Sequence, residues 1–176
     1  MLNRVAAVLL GLSLLSCASM RSSSSGGPTA ASATLRDASG ATVGTASLTQ
    51  TSSGVLVSGS LSGIGSGTHA VHVHTVGKCD GPGFESAGGH FNPTNRQHGF
   101  RNPAGSHAGD MPNVSLPQSG ALTFDALLPN ASLSGSNALL DADGAAVVVH
   151  ASADDYVTDP SGNSGSRIAC GVIVAR

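Results

Sequence analysis

From about residue 33 onward, apolar and polar positions alternate in short runs, the period of strands buried on one face. The runs read SATLRDASG, ATVGTASLTQ, GVLVSGSLSG, THAVHVHTV, NVSLPQSG, ALTFDALL, AAVVVHA and IACGVIVA. Gly, Ser, Asn and Pro separate them, and regularly spaced strands with such turn signals predict an antiparallel sandwich or barrel. Two stretches lose the alternation: residues 77–112, rich in Gly, Asn and Pro, and residues 151–166. Aperiodic segments of this length inside one domain are usually functional loops. No run carries a helical period of convincing length, and no internal repeat is present.

Before the strands, Arg4 precedes an apolar run over residues 5–15. That run is too short to span a bilayer and has the layout of a secretory signal, so the mature protein is expected to be exported. It ends in Leu14-Leu15-Ser16-Cys17, which resembles a bacterial lipobox with Cys17 as the lipidated first residue. Ordinary cleavage near residues 18–20, or an unmodified Cys17, are the alternatives. The expected division is a removed signal over 1–16, a lipid-attachment cysteine with a Ser/Gly tether over 17–32, and a folded domain over 33–176. The tether is flexible by composition. The expected place is the periplasm, with the membrane touched only through a lipid, most naturally at the outer membrane.

With no Trp, one Tyr and four Phe, the core must come mainly from Val, Leu and Ile. A formal charge of -2 and a single lysine, Lys78, leave no basic footprint for nucleic acid. Of the three cysteines, Cys17 belongs to the lipobox, which leaves Cys79 and Cys170. Export permits a disulfide between them, worth about 4.6 kcal/mol in the chain-entropy model; two free buried thiols are the alternative.

Six of the seven histidines stand with one aspartate at spacings suited to two neighbouring metal ions. In THAVHVH, alternation places His72 and His74 on one face and sends Val71 and Val73 into the core. Two such imidazoles lie about 7 Å apart along the strand and can share one ion. His150 ends the apolar run AAVVVH, where it can converge on them. The long loop offers His90, His98, His107 and Asp110, three His and one Asp, which complete the four-coordinate shell of a closed structural zinc site. His72, His74 and His150 leave a copper ion one nitrogen short of four. His90, with two ring nitrogens, can supply it while also binding zinc, and nitrogen-rich tetragonal sites suit Cu(II). His69 falls outside the set and reads as structural.

The chain resembles the copper-zinc superoxide dismutases. The matching stretches are HVH at His72 to His74, GGHFNP around His90, the series His98, His107 and HAGD ending at Asp110, VVVHASADD from Val147, and GSRIACGVI from Gly165. The resemblance runs from about residue 33 to the end. It implies an all-β fold, an eight-stranded antiparallel Greek-key β-barrel with two long functional loops. It implies copper on His72, His74, His90 and His150, and zinc on His90, His98, His107 and Asp110, with His90 as bridge and proton carrier. It further implies Arg167 as the active-site arginine beside copper, Cys79 and Cys170 as a disulfide, and Asp154 as the carboxylate linking a copper-bound to a zinc-bound histidine. The substrate would be superoxide and the reaction its dismutation to oxygen and hydrogen peroxide.

Some features depart from the family. Gly89 stands where proline is frequent, and the second loop is short and lacks the lysine that many members carry there. That leaves Lys78, Arg96 and Arg101 as the other cations available to draw in an anion. Asp155 and Asp159 read as solvated loop charges. A copper or zinc buffer or delivery protein without turnover is the alternative function, and a surface adhesion or structural role explains none of the histidines. A homodimer is compatible with the resemblance, since members occur both as monomers and as dimers.

Overall fold

Alternation in the first runs produces a three-stranded meander, β1 (Ala30–Asp37), β2 (Thr42–Thr51) and β3 (Gly54–Ser62). Its inward positions include Ala31, Ala33, Leu35, Ala46, Leu48, Val55, Val57 and Leu61, all buried. Seven strands follow: β4 (Gly67–His69), β5 (Val71–His74), β6 (Val114–Leu116), β7 (Ala121–Leu128), β8 (Ala146–His150), β9 (Arg167–Val172) and β10 (Val174–Ala175). The computed structural model describes residues 27–176. The signal segment, Cys17 and most of the tether lie outside the described residues. No helix among the described residues is long and apolar enough to cross a membrane.

The main sheet runs β5-β8-β9-β1-β2-β3-β7, with β10 also on β1, and β4 pairs separately with β6. All the pairings are antiparallel. β6 lies against β7, and β4 leads through Ala70 into β5, so the sheet curls round and closes. The run THAVHVHTV, expected as one strand, is broken at Ala70. There the N–H donates to Ser152 O and the carbonyl accepts from His150 N–H, both at 2.9 Å, so one residue leaves the β4 ladder to bond the end of β8. Residues 168–175 divide likewise at Ile173. Joining β4 to β5 and β9 to β10 recovers the eight-stranded Greek-key barrel expected from the sequence.

β5 is buried at every position, and so is β8, because each has the barrel core on one face and loops on the other; in β8 this double burial goes with the apolar run Ala146–Val149, whereas in β5 the loop-covered positions are His72 and His74. Val71, Val73, Val147 and Val149 join the main core. Ala146, Val148 and Cys170 face outward into a second cluster with Phe84 and Ala87, against which Cys79 packs. Each buried Val or Leu contributes roughly 1.5–3 kcal/mol over its exposed state. The outer cluster therefore seats the first loop, residues 75–113, which includes a single 3-10 turn at Glu85–Ala87. A disulfide joins Cys79 to Cys170, with Cα atoms 5.6 Å apart, and fastens that loop to β9.

Candidate metal centre

Because Val71 and Val73 face the core, His72 and His74 stand on the outer face of β5, opposite Val148 and Ala146 of β8. His150, two residues past Val148, ends β8 on the same face. The first loop then returns along β5: Phe91 N–H donates to Val73 O at 2.8 Å, and Val73 N–H donates to Gly109 O at 2.9 Å. This sets His90 beside His74 and Asp110 beside His72. Gly109 is required for the approach, since a Cβ there would collide with the Val73 carbonyl.

The seven side chains singled out in the sequence thus form two groups that share His90. One donor atom from each of His72, His74, His90 and His150 lies within 4.8 Å of the others, and the same holds for His90, His98, His107 and Asp110. In the second group three Nδ1 atoms converge on Asp110 Oδ1, His90 at 3.0 Å, His98 at 3.1 Å and His107 at 3.5 Å. The other oxygen, Oδ2, is held by the backbone N–H groups of Gly99 and His107, each at 3.0 Å.

In the first group, partners fix which ring nitrogen is free. His74 Nδ1–H donates to Gly88 O at 2.8 Å, and His150 Nδ1 lies 3.1 Å from Ser164 Oγ and 3.3 Å from Gly165 O. Their Nε2 atoms face each other 3.4 Å apart. His72 spends Nε2 on Asp154, and its Nδ1, like His90 Nε2 and His107 Nδ1, is buried with no hydrogen-bond partner. Buried polar atoms are rarely left unpaired, because each costs about 1–3 kcal/mol. One metal ion in each group would satisfy them, His72 and His90 in the first and His107 in the second, and the donor chemistry, four nitrogens in one group and three nitrogens with a carboxylate in the other, suits copper and zinc respectively.

Electrostatics prepare the same site. Burial, reinforced by neighbouring imidazoles, pushes His74 down to about 2, His90 to about 4 and His150 to about 3, so each is neutral and a competent donor near pH 7. Burial also opposes the charge on His98, but the carboxylates of Asp110 and Asp154 on its two sides prevail and raise it to about 9. Against the desolvation that would raise them, hydrogen bonds from histidines hold Asp110 and Asp154 far below the ordinary carboxylate range. The pair supplies fixed negative charge for a cation.

Asp154 joins the groups: Oδ2 accepts from His72 Nε2 and Oδ1 from His98 Nε2, both at 3.0 Å. Gly162 closes over it, and any Cβ there would strike the Asp154 carboxylate. Several supporting residues had no signal in the sequence. Asn113 grips the Asp154 backbone from both sides at 2.8 Å, and Tyr156 OH accepts from Asn113 N–H at 2.6 Å. Asp155 caps its own loop, accepting from the N–H groups of Val157 and Thr158, as a solvated loop charge would. Asp159 is exposed as well, and it also accepts the His98 backbone N–H at 2.6 Å.

Arg167 opens β9 beside His150. Its guanidinium donates through Nη1 to Phe84 O and through Nη2 to Gly88 O, each at 2.7 Å; Gly88 O is also the acceptor of His74. Arginine and histidine are therefore locked to one carbonyl. Both line a cleft of about 530 Å³ whose walls include His90, His150 and Arg96. Of the other cations, Lys78 lies 3.9 Å from Asp80 and Arg101 covers the Tyr156 ring at 5.5 Å; neither lines the cleft.

Comparison with known proteins agrees with this geometry. Residues 42–173 match the family model described as copper/zinc superoxide dismutase. "Superoxide dismutase [Cu-Zn] 1" of Aquifex aeolicus is 49% identical over 106 residues, which are 59% of this chain and 63% of that protein, so the chain spans less than two thirds of that relative. "Superoxide dismutase [Cu-Zn]" of Caulobacter vibrioides is 45% identical over 117 residues, 64% of this chain and 67% of that one. A crystal structure of a SOD-like protein from Bacillus subtilis superposes with a TM-score of 0.78 at 39% identity, covering 81% of this chain and 97% of the other.

Proposed function

The chain belongs to the copper/zinc superoxide dismutase family, and we propose that it dismutes superoxide, with copper held by His72, His74, His90 and His150 and zinc by His90, His98, His107 and Asp110. The observation that carries this reading is His90, whose two ring nitrogens face the two donor groups. In the overall reaction two superoxide anions and two protons give one dioxygen and one hydrogen peroxide. When bound, copper supplies the one-electron change and zinc, which has no redox chemistry, a fixed positive charge.

The chain's own residues supply the rest. Arg167 keeps its charge and presents a rigid fork of donors, so it attracts and orients a small anion against the wall formed by His74, His90 and His150. Its two carbonyl bonds fix the fork before substrate arrives, which removes the entropy of ordering it later. His90 Nε2, buried without a hydrogen-bond partner, would be the nitrogen to carry a proton toward peroxide when it is not holding copper. Asp154 keeps His72 and His98 in register, so that neither donor group has to reorganise during turnover.

The test is superoxide consumption by protein reconstituted with copper and zinc, beside Arg167→Ala and Arg96→Ala. Fast, copper-dependent turnover is expected. Arg167→Ala should lower kcat/KM by about 10- to 100-fold, within the range that focused fields supply. Arg96→Ala should lower it less and flatten its dependence on ionic strength. Turnover that ignores copper, or that survives Arg167→Ala intact, would sink the assignment. Full metal loading with no turnover would favour metal storage or delivery.

The activity belongs outside the cytoplasm on this reading. Arg4 and the apolar run over residues 5–15 support export, the disulfide suits an oxidising compartment, and Cys17 carries the anchor. Cys17→Ser should move the protein from the membrane to the soluble fraction; unchanged fractionation would exclude lipidation.

A further inference from the structure

Asp159 lies 61 residues from His98 and 52 from His107 in sequence, yet reaches both. Its Oδ1 accepts the His98 backbone N–H at 2.6 Å and stands 3.8 Å from His107 Nε2. Its side chain is 48% exposed, whereas that of Asp154 is wholly buried. The remaining ring nitrogens of the second donor group have different fates. His98 Nε2 is taken by Asp154, and His90 Nε2 faces the other group. His107 Nδ1 lies 3.5 Å from Asp110 Oδ1; with Nδ1 as the zinc donor the proton sits on Nε2, and the Asp159 carboxylate lies 3.8 Å from that nitrogen, within ion-pair reach and longer than a direct hydrogen bond.

A metal-binding imidazole is held in its tautomer and orientation when its other N–H meets a carboxylate, a carbonyl or water. We infer that Asp159 is a positioning residue for the zinc half of the centre, fixing the main chain at His98 and the ring of His107 from the second loop. The inference rests on reading His90, His98, His107 and Asp110 as the zinc set. It makes zinc retention depend on the second loop through Asp159 as well as through Asp154, so the two loops are bolted together at two carboxylates.

Asp159 also lines the cleft with Arg96 and Arg167. Removing its negative charge favours entry of an anion while loosening the zinc ligands, so the two effects on turnover oppose each other. Zinc release is therefore the informative readout.

The experiment compares the full chain with Asp159→Ala and Asp159→Asn, each loaded with copper and zinc, and follows zinc loss to a chelator. Parallel samples carry cobalt in place of zinc for visible absorption. Asp159→Ala should release zinc about 10- to 100-fold faster. Asp159→Asn, which keeps an acceptor for His98 N–H but withdraws the carboxylate from His107, should fall between and shift the cobalt bands. Copper retention and the melting temperature of the metal-free protein should stay at the wild-type level. Wild-type zinc release and cobalt spectra in both variants would overturn the role of Asp159 alone. Equal losses of copper retention and metal-free stability would overturn it in favour of general loop unfolding. A wild-type chain that takes up no zinc would overturn the zinc assignment and this role together.

Discussion

A His90→Ala variant is expected to lose retention of both metals and to consume superoxide no faster than the uncatalysed background. His90 is shared by both donor groups; its Nδ1 lies 3.0 Å from Asp110 Oδ1, and its Nε2 is buried without a partner. Its removal leaves each group with three donors, deletes the one residue that the two groups share, and opens the inner wall of the cleft. The expected loss exceeds the roughly 10- to 100-fold that follows removal of a supporting hydrogen-bond partner, because a donor itself is gone. His74→Ala and His107→Ala serve as controls: the first should weaken copper retention, the second zinc retention. Metal content after dialysis against a chelator, together with superoxide consumption, checks all three. If His90→Ala held both metals as the parent does, the shared-ligand arrangement would be wrong.

Removing the disulfide should produce the largest change in stability. Cys79 and Cys170 are separated by 91 residues, and closing a loop of that length restrains the unfolded chain by about 4.6 kcal/mol in the entropy model. A Cys79→Ser/Cys170→Ser protein should therefore lose most of that amount in denaturant unfolding. At about 2–4 °C per kcal/mol for a domain of this size, its melting temperature should fall by roughly 10 to 18 °C. A functional effect accompanies the structural one. The bridge fastens to β9 the loop whose Phe84 and Gly88 carbonyls hold the Arg167 guanidinium, and Phe84 and Ala87 pack on Cys170 and Val148. With the bridge gone, Arg167 should lose its fixed orientation, and kcat/KM per bound copper should fall well below the parent value at temperatures where the variant is folded. Unchanged turnover per copper would mean that the outer apolar cluster holds Arg167 by itself. A stability loss under about 1 kcal/mol would mean that the loop is ordered in the unfolded chain or strained in the native one.

Much of the fold was legible because it is written in a local period. Alternation in β1, β3 and residues 45–49 of β2 follows directly from which side chains face the barrel core. The loss of alternation in residues 77–112 and 151–166 marked the two segments that build the site. Legibility failed where a single residue serves a distant partner. Ala70 leaves the strand pattern because its backbone bonds Ser152 and His150, and nothing in THAVHVHTV announces that. His69, read as structural, is buried with Nδ1 2.8 Å from His150 O and Nε2 2.9 Å from Gly65 O, so it braces the end of β8 from behind. Asp159 is an exposed loop charge, as the sequence suggests, but nothing in the sequence announces that it also holds the backbone of His98.

The sequence by itself determined the strands, the side chains of ligand type and their order, since side-chain period and residue chemistry are properties of a few neighbouring positions. Only the tertiary structure decided which carbonyls and carboxylates each imidazole meets, that Arg96 rather than Lys78 or Arg101 shares the cleft with Arg167, and that Phe84 and Gly88 carbonyls aim the guanidinium. Those outcomes depend on main-chain groups, which every residue type carries alike, and on contacts between residues 14 to 83 apart, which exist only once the barrel has closed and the loops have packed on its outer face.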